Sequence, residues 1–137
     1  MTSQSETLSG SRGVASIPSP YPFGETVRRL LSAFAGHGLT IFATIDQAAA
    51  AAAVGRTMPP TTLIVFGNPK AGTPLMLAQP LCGIDLPLKV LVTESTPGEI
   101  RVSFNTATYI IERHSLSSEL ANNLAPAERL IAGAIGK

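Results

Sequence analysis

The run Thr62-Leu63-Ile64-Val65-Phe66-Gly67-Asn68-Pro69-Lys70-Ala71-Gly72-Thr73-Pro74 constrains this chain more than any other. Its β-branched and aromatic start, Thr61 to Phe66, suits a strand buried on both faces. Gly67 and Asn68-Pro69 then turn the chain, and Thr73 followed by Pro74 has the pattern of an N-cap and a first helical residue. A strand that runs through a turn into a helix marks a place where a ligand could meet main-chain amides. It does not identify the ligand, and no residues elsewhere in the sequence form a recognisable active centre.

Val14 to Ile17 is expected as a short edge strand, closed by Pro18, Pro20 and Pro22, which lack amide donors. Phe23, Val27, Leu30, Leu31 and Phe34 recur at helical spacing up to Gly36 and Gly38, which predicts an amphipathic helix. Leu39, Ile41, Ala43 and Ile45 alternate with Thr40, Phe42 and Thr44, so a strand with one buried face follows. Asp46 can cap an alanine-rich helix from Gln47 to Val54 that Gly55 ends. From the helix opened at Thr73, Leu75, Met76, Leu77 and Leu81 are expected to pack inward, and Pro80 to kink or end it. Leu86 to Glu94 and Glu99 to Phe104 flank Ser95-Thr96-Pro97-Gly98 and read as an antiparallel hairpin. Asn105 can cap a helix to His114, and the apolar positions from Leu116 to Ala134 read as two helices divided at Pro126.

With 137 residues, 45% hydrophobic and 14% charged, the chain has the size and composition of one globular domain. The net charge is +1, and the ten Lys and Arg are scattered, with only Arg28 and Arg29 adjacent. A nucleic-acid binder needs a basic stripe to meet the phosphate backbone, so that partner is not expected. The thin charge coat leaves room for self-association. Cys82 is the single cysteine, which excludes an intrachain disulfide and fits a cytoplasmic protein. Met1 to Gly13 lacks the charged start, apolar run and cleavage site of a signal peptide and is expected as a flexible leader before one domain over 14–137. No apolar run approaches the ~20 residues that span a bilayer, and no membrane partner is expected.

From Gly38 to His114 the chain resembles the family called domain of unknown function 302, of the TT1751-like group. The resemblance rests on Ile45-Asp46 before the alanine-rich helix, on Phe66-Gly67-Asn68-Pro69-Lys70 with Gly72-Thr73, and on Asp85-Leu86-Pro87-Leu88-Lys89-Val90-Leu91-Val92, completed by Tyr109 and Arg113-His114. It implies an α+β domain with an antiparallel sheet of about four to five strands covered by helices on one side, in a plan similar to TATA-binding-protein-like folds. It also implies a domain that is often a homodimer, and no established reaction. Many members look to carry a histidine after the aspartate, where this chain has Gln47, which can act neither as an imidazole ligand nor as a base.

The leading candidate for chemistry is the expected helix start at Thr73, where unpaired amides and the positive helix end would favour an anion beside Asn68, Pro69, Lys70 and Gly72. The same residues equally build a plain tight turn with an ordinary cap. Neither a P-loop nor a Gly-x-Gly-x-x-Gly pattern is present, which disfavours nucleotide binding of those kinds. Tyr109 and Arg113 share a helix face with His114 adjacent, and Lys89 lies in a strand where a half-buried ammonium needs a partner. These four could serve a pocket or simply pack, cap and pair. Cys82 has no basic neighbour to activate it, and His37, Cys82 and His114 are too dispersed to show metal-ligand spacing. Neither a metal nor another cofactor is expected. The sequence therefore predicts a non-catalytic domain that binds a small polar or anionic ligand, or a protein partner, near Asn68 to Thr73. The alternative is an enzyme whose pocket joins Asn68 and Thr73 to Tyr109, Arg113 and His114.

Overall fold

Two periodicities decide the architecture: strand residues that alternate across a sheet, and helices that offer one apolar stripe to cover it. The structure is a computed structural model that describes residues 12–136. Strand β1 (Val14–Ser19) leads to helix α1 (Phe23–Gly36), strand β2 (Thr40–Asp46), helix α2 (Gln47–Ala53), strand β3 (Thr61–Gly67) and helix α3 (Pro69–Ala78). A 3₁₀ segment (Pro80–Asp85), strands β4 (Leu88–Thr96) and β5 (Glu99–Asn105), helix α4 (Ala107–Arg113), a 3₁₀ turn (Ser118–Leu120) and helix α5 (Ala121–Ile135) complete the described chain. The five strands form one sheet in the order β1-β5-β4-β3-β2, with every neighbouring pair antiparallel. The fold is α+β, as the resemblance implied.

Alternation along β3 and β4 sends Ile64, Phe66, Val90 and Val92 to the face covered by α1 and α5. Thr26, Leu30 and Phe34 form the buried stripe of α1, spaced one helical turn apart. Phe34 stacks on Phe66 with ring centroids 3.9 Å apart and planes 9° from parallel, which fixes α1 over the middle of the sheet. Ile131 and Ile135 close the same core from α5. A second apolar cluster lies off one end of the sheet, where Leu75, Cys82, Ile110, Ile111 and Leu124 join α3, the 3₁₀ segment, α4 and α5.

Several expectations are corrected. Strand β3 is fully buried on one face only, since Leu63 and Val65 on the other are half-buried. A bulge at Phe42 breaks the alternation of β2: Ile41 packs against the core, whereas Ala43 and Ile45 pair with Val65 and Leu63 on the opposite face. One extra residue in a strand reverses the parity of everything beyond it. Strand β1 runs through Pro18 to Ser19, because an edge strand tolerates a missing donor. Helix α4 is capped by Thr106, whose Oγ1 accepts from the Tyr109 amide, and not by Asn105, which is still paired in β5. Helix α5 is continuous through Pro126. The hairpin and the Asp46 cap stand as expected, with Asp46 Oδ1 accepting from the Ala49 amide at 2.9 Å. Of the expected leader, residues 1–11 lie outside the described residues. Gly13 forms the turn into β1, its carbonyl accepting from the Thr106 amide at 2.8 Å.

Because Phe34 is fully buried and stacked, Phe34→Ala removes a ring that the surrounding sheet cannot replace. Urea unfolding is expected to show a loss of about 3–5 kcal/mol relative to wild type.

Candidate functional site

At the end of β3 the chain leaves the sheet, and the space between that exit and α5 is a groove of about 900 Å³. Phe66 stands at its base as the last core residue of β3, followed by Gly67. A Cβ on Gly67 would stand 3.4 Å from Pro87 Cβ and 3.8 Å from Phe42 Cε2, so glycine leaves the floor open between those two rings. Asn68, Pro69, Lys70, Gly72 and Thr73 all border the groove. Asn122, Asn123, Pro126, Ala127, Arg129 and Leu130 form the opposite wall at helical spacing along α5. The two walls are tied together: Asn123 Nδ2 donates to the Ala71 carbonyl at 3.0 Å.

The helix start differs from its sequence pattern. Asn68 caps α3 and Pro69 is its first residue, so Thr73 and Pro74 lie inside the helix. Proline needs no partner at a first helical position, and Asn68 is a strong capping residue; together they outcompete Thr73-Pro74. Asn68 Oδ1 accepts from the Lys70 amide at 3.0 Å, and the Ala71 and Gly72 amides both donate to the Asn68 carbonyl at 2.9 Å. Pro69 has no amide proton. The free main-chain donors expected at this turn are therefore satisfied internally, and an anion here would have to be held by side chains. Pro74 and Pro126 also deprive the Lys70 and Asn122 carbonyls of their usual i+4 donors on the two walls.

The groove's electrostatics are one-sided. Lys70 and Arg129 line it, and among the described residues neither is in an ion pair. None of the described lining residues is Asp or Glu. His37 adds an imidazole whose Nδ1 donates to the Ala33 carbonyl at 3.0 Å, since a carbonyl only accepts. Leu39, Phe42, Met76, Leu86 and Leu130 supply apolar surface.

The other predicted site residues are elsewhere. Lys89 Nζ donates to the Pro87 carbonyl at 3.0 Å. The Tyr109 ring occupies the place where a Cβ on Gly13 would stand, so it packs against the turn into β1. Arg113 Nη1 reaches both Asp85 carboxylate oxygens at 3.0 Å, and His114 Nε2 donates to Asp85 Oδ2 at 2.6 Å. Asp85 is on the 3₁₀ segment, so this cluster pins that segment to the C-terminal end of α4. Tyr109, Arg113 and His114 do not line the groove with Asn68 and Thr73, which corrects the single pocket expected for an enzyme. Among the described residues no group of three potential metal ligands converges. Sequence reasoning missed Arg129, Asn122, Asn123 and His37. The recurrence of 122, 126 and 129 on one face of a helix was the available signal, but which face turned to β3 is set by tertiary packing.

Cys82 is buried, and burial followed by the negative charge of Asp85 pushes its thiol above the ordinary value of 9.0. The folded state therefore holds a proton that the unfolded chain releases above pH 9.0. Stability from this group is full below that pH and falls as pH rises toward the folded value. Cys82→Ala is expected to flatten the decline of unfolding free energy above pH 9.0 relative to wild type, as measured by urea titrations across that range.

Comparison with known proteins places this geometry in a family. The crystal structure of an uncharacterized conserved protein DUF302 from Bacillus stearothermophilus superposes with a TM-score of 0.76, covering 92% of this chain and 98% of that one at 16% identity. At such identity the likeness establishes the fold alone. Proteins named fluoride-specific ion channel FluC 1 from Brucella suis biovar 1 (strain 1330) and Brucella abortus biovar 1 (strain 9-941) are each 35% identical over 111 residues, which is 80% of this chain. The aligned part is 44% of the first and 41% of the second, so the chain spans less than half the length of these curated relatives. The sequence profile of the family described as "Domain of unknown function DUF302" matches residues 15–135, and this chain belongs to that family.

Proposed function

We propose that this chain is a non-catalytic binding domain whose groove takes a small organic anion with an apolar body. The observation that supports the reading is the sign of the lining: two cations without ion-pair partners among the described residues, and no Asp or Glu among the described lining residues. An anionic head near Lys70 and Arg129 gains Coulomb attraction that a neutral head lacks. The volume is of the order that small-molecule sites occupy. Catalysis has less support, since Tyr109, Arg113 and His114 are spent on packing and on Asp85. A single buried thiol suits a cytoplasmic setting. The Brucella relatives are named as ion channels, but among the described residues here no helix is long and apolar enough to cross a membrane. We infer that the domain works beside a membrane protein and does not form a pore of such helices.

Dodecanoate is a suitable test ligand, and calorimetry should detect its binding to wild type. Reversing both charges, Lys70→Glu with Arg129→Glu, is expected to weaken it at least about tenfold, or ~1.4 kcal/mol. Unchanged affinity in that variant, or equal affinity for dodecanol, would remove the anion reading.

The uncovered face of the sheet supports a second association. Ile45 pairs with Leu63 and Leu63 with Leu91, while Ala43 pairs with Val65, so an apolar band crosses β2, β3 and β4 on the side away from α1 and α5. A second copy is the proposed cover, giving a homodimer. Sedimentation velocity should show a dimer that Leu63→Lys with Leu91→Lys converts to monomer; a wild type that stays monomeric at high concentration contradicts it.

A further inference from the structure

Sequence patterning placed Leu77 and Leu81 in the core, yet they are among the most exposed apolar side chains of the described chain. Leu77 is 80% exposed, Leu81 74% and Ile84 71%. The 3₁₀ geometry explains the last two. Residues three apart eclipse in such a segment, so Leu81 and Ile84 share the outer side while Cys82 is buried on the inner. Met76 joins this patch to the groove, since it lines the groove and its Sδ would be 3.4 Å from a Cβ on Gly83, between Leu81 and Ile84. On α3, Lys70, Thr73 and Leu77 follow one face at i, i+3 and i+7, about 10 Å from the groove's cation to the first exposed leucine. From Thr73 to Ile84 no residue is charged.

We propose that Leu77, Leu81 and Ile84 form a membrane-contact edge that seats the groove against a lipid surface, where Lys70 meets anionic headgroups. The proposal rests on the reading of the groove as an anion site and of the domain as one that works beside a membrane protein. Side chains exposed by more than two-thirds protrude from the surface, and the run that carries them has no charge of its own to meet a polar partner. The acyl boundary of a bilayer accepts protruding aliphatic groups of any shape, with a cation at headgroup depth above them. The groove then opens where amphipathic anions are concentrated. That no helix among the described residues is long and apolar enough to cross a membrane bears on crossing a bilayer, and leaves surface contact untouched.

Flotation with vesicles of phosphatidylcholine and phosphatidylglycerol in equal amounts tests this on the full chain. Wild type is expected to float with the vesicles, and Leu77→Ser with Leu81→Ser and Ile84→Ser to lose at least about tenfold in partitioning. That triple variant should still bind dodecanoate, which shows it folded with an intact groove. The chain has no tryptophan, so Leu81→Trp gives a single reporter whose emission should shift to the blue on adding vesicles. A wild type that does not float, a triple variant that floats equally, or an unshifted Leu81→Trp spectrum would each overturn the proposal. So would a wild-type dimer that the triple variant converts to monomer, because the patch would then be a self-interface. Flotation without dodecanoate binding would instead sink the groove reading and leave the contact edge standing.

Discussion

Phe66 joins the core to the groove. Its ring is buried beneath Phe34, which holds α1 over the sheet, and it is also the residue from which the groove rises. The position follows from elementary strand geometry: with Ile64 facing the helices, Phe66 must face them too, and Gly67 after it carries no side chain into the gap between Phe42 and Pro87. Ordering of the core and shape of the site are therefore one constraint. A change that loosens the stack at Phe34 also moves the base on which any ligand would rest.

The wall above that base shows why a helix start is not by itself an anion site. Asn68 caps α3 with its own side chain and carbonyl, and proline removes the first amide altogether. What remains is charge carried by flexible side chains, Lys70 from α3 and Arg129 from α5, over an apolar wall. Side chains of that length could meet an anion from two directions and adapt to its size, whereas a nest of amides would demand one geometry. The bond from Asn123 to the Ala71 carbonyl fixes the spacing of the two walls, so the cations are presented by a preformed frame.

Local patterns were legible in the sequence wherever one element decided its own fate. The stripe of α1, the Asp46 cap, the β4–β5 hairpin and the strand at Thr61 to Phe66 were all readable from spacing. Competition between neighbours was not. Asn68-Pro69 and Thr73-Pro74 both look like helix starts, and the stronger cap at Asn68, which accepts from the Lys70 amide, selects the first. Phe42 looks like the outward member of a regular alternation, yet it is the bulge that sends Ile45 to the other face. Leu77 and Leu81 look like core by composition, but Leu75, Cys82 and Leu124 already fill the second cluster. Asn68, Lys70 and Thr73 can be set beside this groove from sequence; Arg129 lies far along the chain and enters only through the packing of α5. Arg113 and His114 were rightly seen as neighbours at a helix end, and their partner Asp85 could not be read from spacing.

The central claim is that the groove between β3 and α5 binds an amphipathic anion through Lys70 and Arg129. Amide chemical-shift mapping during a dodecanoate titration tests it most directly. The account predicts saturable shifts concentrated at Gly67 to Thr73 and at Asn122 to Leu130. Shifts confined to α2 or to the uncovered face of the sheet, or none at millimolar ligand, would contradict it.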